Sequence, residues 1–140
     1  MSISSTANKI SYTGDASTTA FSFPYLFFAN DDIVVTIKVT ATGVETIKTI
    51  TTHYTVAGAG VAAGGTITMG TAPASTETLV ISRSEQLTQT LDLVENDPFP
   101  SALVEQQFDS LTMMVQQQQE TLNRALKYPI GDTTGLGAEL

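Results

Sequence analysis

Cysteine is absent from this chain, and so is tryptophan. The first absence excludes disulfides and any cysteine metal site. His53 is the sole histidine, so neither a transition-metal centre nor a Cys–His pair can be assembled. Basic residues are few and scattered: Lys9, Lys38, Lys48, Arg83, Arg124 and Lys127 stand against 14 acids. The resulting net charge of −8 makes nucleic acid and anionic membrane poor partners. No apolar run approaches the ~18 residues that a spanning helix needs. The opening MSISSTANKI also lacks the apolar core of a secretion signal. Gly58, Gly60, Gly64 and Gly65 are not followed by a GK[ST] signature, so they read as hairpin glycines rather than a phosphate loop. The acid groupings Asp31-Asp32 and Asp92, Glu95, Asp97 match no EF-hand spacing. Neither an enzyme nor a cofactor is expected.

What the chain does have is a stretch built for one long helix, over residues 98–128. Pro98 and Pro100 block helix upstream, Ser101 is the expected N-cap, and Pro129 is the expected stop. Val104, Phe108, Leu111, Val115, Leu122 and Ala125 recur with a 3.5-residue period, and Gln118 fills the gap in the series. Phe108, Val115 and Leu122 take the a positions of a heptad; Val104, Leu111, Gln118 and Ala125 take d. The remaining faces are polar, and the tandem Gln116 to Gln119 reads as their solvated part. A narrow a/d stripe is the pattern of a coiled coil, whereas a helix packed on its own domain shows a wider apolar face. Phe and Gln in the core favour three strands, and the nearly uncharged e and g positions favour identical partners. A parallel homotrimer is the expectation; a single helix lying on the preceding domain is the other reading. Met113, off the seam, is expected to accept a charge without dissociating the trimer.

Upstream, alternation marks short strands. Phe21 and Phe23 share a face of the first, over residues 19–23. Ile33, Val35, Ile37 and Val39 share a face of the clearest, over 33–40. It turns at Ala41-Thr42-Gly43 into a partner over 44–51. Further strands are expected over 54–56, 66–69 and 78–83, with Leu79 and Ile81 inward. Residues 1–17 read as a flexible arm or first turn, 18–97 as a β-rich domain, and 129–140 as a linker or a segment ordered on a partner. The fold class is therefore α+β: an antiparallel sandwich or partial barrel, then one long helix. Tyr25, Phe27 and Phe28 form an aromatic cluster that is either core or an exposed docking patch. A carbohydrate-binding β-sandwich on a trimeric stalk is the alternative function. It wants exposed aromatics, and 7% aromatic content without tryptophan argues against it.

Several stretches taken in order carry a resemblance. They are Tyr12-Thr13-Gly14-Asp15, Phe21-Ser22-Phe23, Tyr54-Thr55-Val56, Gly64-Gly65-Thr66 and Thr71-Ala72-Pro73. Leu87-Thr88-Gln89-Thr90, Pro98-Phe99-Pro100 and Arg124-Ala125-Leu126 continue the series. Together they resemble the N-terminal anchor (head-binding) domain of tail fibres and tailspikes of short-tailed bacteriophages, over roughly residues 10–131. The resemblance implies a β-rich head followed by a helix, a homotrimer, and a structural virion protein that anchors a fibre to the tail. It implies tail adaptor or nozzle proteins as partners, with a fibre shaft or receptor-binding protein further on. Because the sequence stops at Leu140, anchoring rather than host recognition is what it implies for this chain.

Overall fold

A computed structural model describes residues 2–127, 130 and 131. Its elements run β1 (Lys9–Thr13), β2 (Ala20–Phe23), a 3-10 turn (Asn30–Asp32), β3 (Ile33–Val39), β4 (Glu45–Ile47), β5 (Tyr54–Ala57), β6 (Gly65–Met69), β7 (Glu77–Arg83) and α1 (Ser101–Arg124). The strands form two antiparallel sheets, ordered β1-β7-β3-β4 and β2-β6-β5.

The core lies between them. The larger sheet contributes Ile33, Val35, Ile37, Leu79 and Ile81. The smaller contributes Phe21, Phe23, Tyr54, Ile67 and Met69, with Phe27 wedged in from the loop after β2. Register follows from the period of two: Val35 lies opposite Ile81, and Ile37 opposite Leu79, so β3 and β7 point matched apolar rows inward. A slip by one residue would bring Thr36 and Val80 inside. Gly64 lets the β5–β6 turn press against β2. Its φ is +83°, and a Cβ there would lie 1.9 Å from the Phe23 carbonyl oxygen.

Three sequence expectations are corrected. Residues 1–17 are not just an arm, because Lys9–Thr13 pairs with β7 as an edge strand. Ile10 and Tyr12 alternate toward the core there, but five residues are too few to stand out against polar flanks. The return strand expected over 44–51 is paired only at Glu45–Ile47. Ser101 is the first helical residue rather than a side-chain cap; the Pro100 carbonyl accepts from Leu103 and Val104 N–H, both at 3.1 Å. The helix ends at Arg124, and Ala125 leaves it with extended dihedrals. Pro129 and residues 132–140 lie outside the described residues.

Candidate functional site

Helix α1 divides into two faces with opposite fates. The b, c and f positions meet the chain's own β domain. Asp109, Ser110 and Met113 are buried, Met113 to 1% exposure. Most contacts on this face are polar. Ile3 N–H donates to Asp109 Oδ1 at 3.2 Å, and Gln116 Nε2 donates to the Ser5 carbonyl at 2.8 Å. Lys9 Nζ reaches Glu120 Oε1 at 2.5 Å, and Glu120 also pairs with Arg124 one turn on. Those two cations hold the Glu120 carboxyl below its ordinary range. The N-terminal residues before β1 thus run along the helix. Sequence reasoning placed Gln116 in a solvated stripe, and here it is a docking residue.

The a/d seam is left open. Phe108, Val115 and Leu122 are more than half exposed, at 63%, 65% and 54%, and Leu111 is at 49%. Gln118 and Ala125 are exposed, and Val104 is half-buried. Six of the seven expected seam residues lie within α1, and Ala125 lies just past its last turn. Large apolar groups on the outer side of a helix whose polar side is docked invert the usual pattern of a surface helix.

The joint between helix and sheet is a buried polar cluster. Arg83 continues the inward row of Leu79 and Ile81 by one more step of two, so its side chain enters the interior at the end of β7. Its Nη1 donates to the Leu26 carbonyl at 2.6 Å and its Nη2 to Gln116 Oε1 at 2.7 Å. Burial lowers its pKa, and the Glu85 and Asp32 carboxylates partly counter that. Glu85, two residues on, accepts a hydrogen bond from Ser110 Oγ. Asp32 closes the 3-10 turn by accepting from Ala29 N–H at 2.9 Å. The two carboxyls lie close enough to share a proton, and burial raises both above their ordinary range. The sequence signal for Arg83 and Glu85 was present: both extend the period-two inward register of β7 into charged residues.

The aromatic cluster splits. Phe27 is fully buried, which removes it from the docking patch. Tyr25 packs edge-on against Phe23 with ring centroids 5.2 Å apart. Phe28 borders an open cleft beside the first turns of α1. His53 Nδ1 accepts from Thr49 N–H at 3.1 Å and closes a turn. Among the described residues, no group of three His, Cys, Asp or Glu side chains could hold a metal ion, and no helix is long and apolar enough to cross a membrane.

No family model matches the chain. The tail spike protein of Salmonella phage epsilon15 is 33% identical to it over 134 residues. That match covers 92% of this chain and 12% of the relative, so the chain spans about an eighth of the relative's length. Over nearly its whole length the chain is therefore similar to one segment of a phage tail spike protein.

Proposed function

We propose that the chain is a homotrimeric anchor: three β domains dock on the tail, and three helices join along the a/d seam and lead away from it into the body of the fibre. The observation that carries this is the open seam. Phe108, Leu111, Val115 and Leu122 face water in one chain, while the polar side of the same helix is occupied by its own domain. Burying a side chain of this size is worth about 1.5–3 kcal/mol, and a threefold axis brings the same stripe of each chain to the centre of a closed ring. Tail adaptor or nozzle proteins are the docking partners in this reading, and a fibre shaft or receptor-binding protein is the C-terminal one.

The test is sedimentation of the isolated chain. The expected species has three times the 14.8 kDa of one chain. A monomer at tens of micromolar would count against the seam. A glycan array with specific binding by the isolated chain would move the reading to a carbohydrate-binding module.

A further inference from the structure

A cleft of about 570 Å³ opens between the 3-10 turn, the segment after β7 and the first three turns of α1. That volume is within the range of ligand-binding clefts. Its walls carry Phe28, Leu91 and Leu103, and its acids are Asp32, Glu85 and Asp92. Asp32 and Glu85 are 2% and 8% exposed, whereas Asp92 is on the open rim. Glu85 Oε1 is taken by Ser110, and Glu85 Oε2 has no donor beyond the proton shared with Asp32. Among the described residues no cation makes an ion pair with Asp32 or Glu85, since the Arg83 guanidinium is committed to Leu26 and Gln116.

We propose that this cleft is a socket for a basic side chain, arginine or lysine, presented by the tail protein on which the chain docks. The inference rests on the docking half of the proposed function. Two buried acids that share one proton leave a negative charge on the cleft floor, and a positive donor at Glu85 Oε2 takes that proton's place. An arginine or lysine places its charge on that oxygen and lays its methylene stem along Leu91 and Leu103. Phe28, on the cleft wall, adds an aromatic ring near the same cation. An anion is repelled by the floor of the cleft. The chain's charge of −8 draws a basic partner over longer distance.

The experiment titrates N-acetyl-arginine amide, N-acetyl-lysine amide and the neutral N-acetyl-citrulline amide into the full chain, followed by backbone amide shifts. The expected result is saturable shifts at Ala29, Asp32, Glu85 and Ser110 with the two cations and none with citrulline. Glu85→Gln removes the floor charge and weakens binding about tenfold or more. Asp92→Asn acts on the exposed rim, cannot disturb the core, and weakens it about two- to threefold. Shifts spread over the acidic surface, or unchanged in both variants, overturn the socket. A chain that joins the tail but ignores both cations also overturns it and leaves the anchoring intact. A chain that binds both cations but stays off the tail has an occupant other than a tail protein, and there the anchoring reading falls.

Discussion

Arg83 donates to Gln116 across the joint, 2.7 Å from guanidinium to side-chain amide, and so ties the end of the last strand to the middle of the helix. The same glutamine passes the link on to the Ser5 carbonyl. Three parts of the chain far apart in sequence are held by one side chain.

Gln116→Ala is therefore expected to loosen the helix without unfolding the sandwich. It removes a hydrogen bond to a buried charge, a loss of about 1.5–3 kcal/mol. Hydrogen exchange is the measurement, with faster exchange expected in α1 and at the N-terminal residues and little change in β3 and β7. Uniform acceleration across all elements would mean the helix and sandwich unfold as one unit.

Leu111 and Met113 are expected to respond in opposite ways to the same charge. Leu111→Asp places three carboxylates in one layer of the proposed trimer and should give a folded monomer by sedimentation. Met113, though off the seam, is 1% exposed against its own domain. Its change to Asp should cost on the order of 3 kcal/mol within each chain, because the carboxylate is buried unpaired. The cost falls on the fold of each chain and not on the seam, so the chains that do fold are still expected to sediment as trimers. A trimer surviving Leu111→Asp would remove the seam.

Stability should fall as pH rises from the mildly acidic range. Asp32 and Glu85 have raised pKa values in the fold, from burial first. Ala29 N–H and the hydrogen bond with Glu85 oppose this at Asp32 while Asp31 adds to it. At Glu85 the Ser110 hydroxyl and Arg83 oppose it while Asp32 adds to it. Between their ordinary values of 3.8 and 4.5 and their raised ones, the folded chain holds more protons than the unfolded chain. Stability then drops with increasing pH across that window. Thermal melts are expected to show a higher midpoint at pH 5 than at pH 8, and Glu85→Gln should narrow the difference. The opposite sign belongs to Asp15, held at about 2 by Thr18 and Ser17; what it contributes is present above 3.8 and lost as pH falls toward 2. A wild-type midpoint that climbs steadily to pH 8 would contradict the shared proton.

Gln118 tests how far the coil continues. It is exposed on the single chain, between Leu111 and Val115 on one side and Leu122 on the other. In a trimer three copies would meet near the axis and bond amide to amide. Gln118→Leu is expected to raise the melting temperature of the trimer and loosen its register, seen as mixed masses in native mass spectrometry. A change within about 0.5 kcal/mol, the range of a surface substitution, would end the tight coil near Val115.

The local rules of this chain were legible in its residues. Alternation at Ile33, Val35 and Ile37 gave a strand and its inward face, and Pro98 and Pro100 placed the helix start within a turn. The 3.5-residue stripe from Val104 to Leu122 named the surface now found open. All of these depend on neighbours a few positions away, so backbone geometry alone sets them. The tertiary structure decided the other side of the helix. Lys9 meets Glu120 and Ser5 meets Gln116 across 111 residues, and Ile3 meets Asp109 across 106. No periodicity encodes such pairs, because a polar side chain reads as solvated until a distant donor is brought to it. The same holds for Lys9–Thr13, too short to be a strand until β7 offered an edge; alternation along β7 already pointed Arg83 and Glu85 inward, but it said nothing of Asp32. Only the fold buries their charges together and makes them need one another.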